Sequence, residues 1–146
     1  MSKVINNRSL TAKELFKLAP PVILCINRPD FERAIVESGY KTISLNLPLA
    51  RSIAELEQKE ISSALVDAVC GILPQNEPVY LTDYEMLFDP RYEIDILRFF
   101  VELARQNKLI VKWCGTMDGD TLVYAEQGYE DYRRYKASDY EAVIIK

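Results

Sequence analysis

Val22-Ile23-Leu24-Cys25-Ile26, followed by Asn27-Arg28-Pro29-Asp30-Phe31, is the stretch whose reading decides the fold. Five consecutive apolar residues describe a strand buried on both faces, as in a parallel sheet covered by helices. Pro29 suits the first turn of a helix, where its missing N–H is no loss. Phe31, Ala34 and Ile35 then recur at helical spacing, and Gly39 fits the position just past the helix end. Residues 22–38 therefore read as strand, tight turn, helix.

Working outward, the same alternation continues. Before the strand, Thr11 and Glu14 form a capping box, and a short helix is expected to run to Ala19, where Pro20-Pro21 stops it. After it, Thr42 to Leu47 reads as a strand closed by Pro48, and a long amphipathic helix is expected from roughly Ala50 to Ile72. Val79 to Thr82 is the third strand, ending at Asp83, and Tyr84 to Tyr92 is a connection. A helix over Ile94 to Gln106 precedes a fourth strand, Leu109 to Trp113. Asp118-Gly119-Asp120 marks a turn before a short strand, Thr121 to Ala125. Gly128 to Ser138 suggests a helical turn, and Tyr140 to Ile145 a last strand. Strands alternating with helices predict an α/β fold of three layers around a mostly parallel sheet. No linker or repeat interrupts the chain, so residues 1–146 are expected to form one domain.

Composition narrows the function. The chain has 146 residues, 49% hydrophobic and 27% charged, which is ordinary for a globular protein and sufficient for a core without disulfide or metal. Acids outnumber bases 22 to 18, and a net charge of −4 argues against nucleic acid as the main ligand. There is no histidine, which removes Ser-His-Asp and Cys-His catalysis and the commonest metal ligand, so no catalytic residue and no metal site is assigned. Cys25, Cys70 and Cys114 are few, odd in number and scattered through apolar stretches, as expected of buried free thiols in a reducing cytoplasm. Met1 to Arg8 is polar and offers no signal peptide, and no apolar run reaches the length of a membrane span.

The corner after the first buried strand is where a P-loop would lie. A P-loop needs glycines so that backbone N–H groups can wrap phosphate, a lysine for charge and a Ser/Thr for magnesium. Between Cys25 and Ser38 there is no glycine and no lysine, and Asp30 and Glu32 bring negative charge to the helix start. The corner reads as a degenerate version. Arg28 could meet an anion there, or be an ordinary solvated arginine. The apolar strand ending in Asp83, with Glu85 beyond it, resembles a Walker B segment, in which the acid holds magnesium and the second residue orients water. Asp83 could equally cap the following turn. Thr116, after the fourth strand, is a candidate γ-phosphate sensor or a turn residue.

The last quarter of the chain carries Tyr124, Tyr129, Tyr132, Tyr135 and Tyr140, five of the nine tyrosines, interleaved with Arg133, Arg134 and Lys136. Tyrosine with arginine is the composition of interface hot spots. The alternative is a packed edge with hydroxyls in water. Stacking on bases would be a third use.

Three segments resemble a known family. They are Ser44-Leu45-Asn46-Leu47 with Leu49-Ala50-Arg51, then Leu81-Thr82-Asp83-Tyr84-Glu85-Met86-Leu87-Phe88-Asp89-Pro90, and Leu122-Val123-Tyr124-Ala125-Glu126-Gln127-Gly128 followed by Tyr132-Arg133-Arg134-Tyr135. In these, and in the order of its segments over residues 20–145, the chain resembles the BrxF-like small P-loop-type proteins of type 3 BREX bacteriophage-defence systems. The resemblance implies a P-loop NTPase-like fold, a bacterial cytoplasm, and work in a complex with a DNA methyltransferase and other ATPases. Family members carry a glycine-lysine-threonine loop after the first strand, and Ile26-Asn27-Arg28-Pro29-Asp30 stands in its place here. Only Asp83 and Glu85 carry over.

The expectation is therefore a non-catalytic, degenerate P-loop-like subunit of an antiviral defence complex. It would bind other defence proteins, or copies of itself, through Tyr124, Tyr129, Tyr132, Arg133, Arg134 and Tyr135. No cofactor is expected. The first alternative is an ATP-binding regulator or weak ATPase using Asp83, Glu85 and Arg28 with magnesium. The second is a nucleic-acid-binding accessory protein using Arg133, Arg134 and Lys136.

Overall fold

The strands that read as continuous apolar runs are the centre of the observed sheet. A computed structural model describes residues 3–146. Six strands lie in one parallel sheet: β1 (Lys3–Ile5), β2 (Val22–Leu24), β3 (Lys41–Ser44), β4 (Val79–Thr82), β5 (Leu109–Lys112) and a last strand, Val143–Ile145. Three more strands intervene before that last one and form a small antiparallel sheet: β6 (Thr116–Asp118), β7 (Thr121–Tyr124) and β8 (Arg133–Lys136). The last strand is thus β9, and the large sheet has the order β1-β9-β2-β5-β4-β3.

Strand period dictates the two cores. Ile23, Val79, Leu81, Leu109, Val111 and Ile144 point to one face, and Val22, Leu24, Tyr80, Ile110, Val143 and Ile145 to the other. The second face is covered by α1 (Ala12–Leu15) and α2 (Pro29–Glu37), which bury Leu15, Phe31 and Ile35. The first is covered by α3 (Asn46–Ile53), α4 (Gln58–Ile72) and α5 (Ile96–Leu103), together with the small sheet. Right-handed crossovers account for this division: β2 to β3 runs one way across the sheet, and β3 to β4 to β5 to β9 runs back. With helices on both faces, the fold is α/β and three-layered, as the alternating pattern predicted.

Several elements differ from expectation. Lys3–Ile5 belongs to the polar stretch Met1 to Arg8, yet it pairs with β9 as an edge strand, where lysine is tolerated; residues 1 and 2 of that stretch lie outside the described residues. The capping box at Thr11 and Glu14 forms both of its bonds, at 2.9 and 3.3 Å, but α1 ends at Leu15 rather than Ala19. Pro48 does not close a strand. It sits in the first turn of α3, where backbone N–H groups have no helical partner. The long helix is broken at residues 54–57 with no glycine or proline to announce it; Ile53 and Ile61 pack on the same core from either side of the break, and Leu56 within it does too. Gly128 to Ser138 does not form a helical turn at its centre. Arg133–Lys136 is a strand because Tyr135 alternates inward between Arg134 and Lys136 and pairs opposite Leu122. Gly119 takes a left-handed φ of 62° in the two-residue turn between β6 and β7, where Asp118-Gly119-Asp120 predicted a turn.

Candidate functional site

Ligands of open α/β sheets bind at the carboxyl ends of strands, where successive connections leave in opposite directions. Here that point lies between β2 and β5, because α2 departs to one side and the β5 connection to the other. The corner at this point is built from Cys25 to Pro29. The Cys25 N–H donates to the Ile145 carbonyl at 2.8 Å, and burial pushes the Cys25 thiol up to about 12.

Arg28 closes the corner on itself. Its Nε and Nη2 donate to the two carboxylate oxygens of Asp30 at 3.0 and 2.6 Å, its Nη1 donates to the Asn7 carbonyl at 2.9 Å, and its guanidinium lies 4.0 Å over the Phe31 ring. The arginine's hydrogen bonds hold the Asp30 carboxyl below its ordinary value. Glu32, one turn into α2, accepts from the Tyr80 hydroxyl at 3.3 Å and pairs with Lys112 at 3.4 Å. Every charge at the start of α2 is thus answered from within the chain.

Asp83 and Glu85 form a separate group at the end of β4. Asp83 holds a left-handed φ of 48°. Its carboxylate does not cap the turn that follows. It accepts from Ser44 Oγ at 2.6 Å and from Thr82 Oγ1 at 3.4 Å, while its carbonyl accepts the Asn46 N–H at 2.6 Å. The Asn46 side chain completes the lattice: Nδ2 donates to Glu85 at 2.6 Å and Oδ1 accepts from the Met86 N–H at 3.1 Å. It therefore caps the 3-10 turn Glu85–Phe88. Ser44 and Asn46 fall in the stretch expected as strand, Thr42 to Leu47, but the strand ends at Ser44 and Asn46 opens α3; no local pattern marks them as partners of residues 39 positions away. β5 stands between β2 and β4, and the hydrogen bonds of Arg28 run to Asn7 and Asp30, so the three candidate residues are not brought into one cluster. Thr116 opens β6, and its carbonyl accepts from the Trp113 indole at 3.1 Å.

The residues present do not fit a triphosphate with magnesium. The corner has no glycine to expose its N–H groups, an ion pair already occupies it, and the acids beyond β4 accept from Ser44 and Asn46 at a strand not adjacent to that corner. Among the described residues, no three His, Cys, Asp or Glu side chains converge as metal ligands.

The tyrosine-rich segment divides in two. Tyr124 stacks on Phe88 with centroids 3.6 Å apart and planes 5° from parallel; Tyr135 is buried, edge-on to Trp113 and Tyr140. The Tyr140 hydroxyl donates to Asp95 at 2.8 Å. These three rings are packing. The others face outward: Tyr129 is 65% exposed, and the Tyr132 hydroxyl accepts from Arg134 at 3.1 Å. Arg134 also pairs with Asp118 at 3.0 Å, and Arg133 donates to the carbonyls of Glu130 and Tyr132. Among the described residues, no helix is long and apolar enough to cross a membrane.

No family model matches the chain, and neither a curated protein nor a solved structure is significantly similar to it.

Proposed function

We propose that this protein is a degenerate P-loop-like subunit of a bacterial antiviral defence complex of the BREX type, working through protein contacts rather than nucleotide hydrolysis. The P-loop reading draws on the strand-turn-helix corner at the sheet's switch point and on the acid that ends β4. The single observation that carries the non-catalytic reading is the corner itself, closed by the Arg28–Asp30 pair where phosphate would need open N–H groups. Partner contact falls to the outward part of the tyrosine-rich segment, Tyr129 with Tyr132, Arg133 and Arg134, next to other defence proteins or to identical copies. Arg133 and Arg134 already hold internal bonds, which weakens their claim on nucleic acid.

Thermal melting with and without millimolar Mg-ATP tests the reading. A ligand that binds the native state raises the melting temperature with concentration. No shift is expected. A rise of several degrees that disappears in Asp83→Ala would overturn the proposal in favour of an ATP-binding regulator.

A further inference from the structure

We infer that the open groove between the Glu85–Pro90 turns and the loop preceding β8 docks an arginine-bearing segment of a partner protein. The inference rests on the protein-contact reading above and deepens it. The groove encloses about 540 Å³. Phe88, stacked on Tyr124, forms its floor; Glu85 and Asp89 line one wall, and Tyr129, Glu130 and Asp131 the other. Four of its lining residues are carboxylates and none is a lysine or arginine.

One of the four charges is balanced from within, since Asp89 pairs with Arg91; Glu85 accepts only from the neutral Asn46 side chain. The carboxylates of Glu130 and Asp131 make no ion pair or hydrogen bond among the described residues, and the Tyr129 ring has no aromatic partner there. An exposed aromatic face beside free carboxylates matches a guanidinium better than an ammonium. The planar fork pairs with a carboxylate while its face lies on the ring. The chain uses this arrangement once already, where Arg28 pairs with Asp30 and lies over Phe31. A net charge of −4 adds attraction toward a cationic partner.

Titration of the full-length, 15N-labelled chain with a capped tetra-arginine peptide tests the groove. A tetra-citrulline peptide and spermidine serve as comparisons. The expected result is amide shifts confined to residues 85–90 and 129–131, weakening with salt. Affinity should fall at least tenfold in Glu130→Gln/Asp131→Asn and in Tyr129→Ala, and stay unchanged in Glu57→Gln/Glu60→Gln. All these side chains are exposed or half-buried, and matching melting curves would confirm that the variants fold. Equal binding of citrulline or spermidine, shifts elsewhere, or unaltered affinity in the groove variants would each overturn the assignment. So would a dimer of the chain alone that dissociates in the double variant. Failure here with no response to Mg-ATP removes the groove alone, whereas stabilisation by Mg-ATP removes the functional reading beneath it.

Discussion

Gly115, just before β6, lies against the backbone of β7 in the small sheet. A Cβ at this position would run into the carbonyl oxygen of Val123, which also accepts from the Trp113 indole at 3.2 Å. The obstacle is backbone, so it cannot swing aside. Gly115→Ala should destabilise the protein by about 1–3 kcal/mol, the range for overpacking, read as a lower urea midpoint at unchanged slope. An unaltered midpoint would mean that the β6–β7 backbone gives way at no cost. The sequence reading treated Trp113 to Thr116 as a strand end with a candidate sensor. It could not register the demand on Gly115, because that demand comes from a carbonyl eight residues further on. The same holds for Tyr124 and Tyr135, read together with Tyr129 as one contact surface. Tyr124 and Tyr135 share the inward face of β7 and β8 with Leu122, whereas Tyr129 lies in the loop between those strands, a division set by strand bounds and register.

At the scale of elements, one side chain ties α3 to the turn after β4. Asn46 bonds both the Glu85 carboxylate and the Met86 N–H, and Ser44 beside it holds Asp83. Asn46→Ala would leave a half-buried N–H without its acceptor and release Glu85. A loss of about 1–3 kcal/mol is expected, with faster hydrogen exchange at Met86 and Leu87 than elsewhere. Protection unchanged at those amides would show that the turn stands without the asparagine. Strands β2, β4 and β5 were legible because burial on both faces forces an unbroken apolar run. Strand β8 was not, since four residues with one inward tyrosine carry too little pattern to separate strand from turn. The break between α3 and α4 left no mark either, because residues 54–57 include no glycine or proline.

For the whole molecule, the buried acids that stay protonated set the alkaline limit. Burial pushes the thiols of Cys25 and Cys114 up to about 12, from an ordinary value of 9.0, and burial likewise raises the Tyr84 phenol, which donates to the Lys112 carbonyl at 2.7 Å. Unfolding frees these groups to ionise. Between pH 9 and 12 the unfolded chain therefore binds fewer protons than the folded one, and stability falls as pH rises through that window. Asp89 acts at the other end: its hydrogen bond from Arg91 holds its carboxyl low, so its contribution disappears as acid protonates it. Urea midpoints should stay level from about pH 5 to 9 and decline above that, less steeply in Cys25→Ala. A midpoint level up to pH 11 would contradict the burial of the two thiols.

The amino-acid sequence by itself determined that the chain alternates strand and helix, that its central strands are covered on both sides, and that the corner after β2 lacks the glycines of a phosphate loop. Each of these is a local property: an apolar run, a spacing, or the backbone freedom of one residue type. The tertiary structure alone decided that Asp83 and Glu85 accept hydrogen bonds from Ser44 and Asn46, that Arg28 folds back on Asp30 and Asn7, and which tyrosines remain outside. Apart from the local Arg28–Asp30 pair, those contacts join segments distant in sequence at the ends of strands. Strand order, set by crossover direction and by the burial of both faces together, brings them within reach.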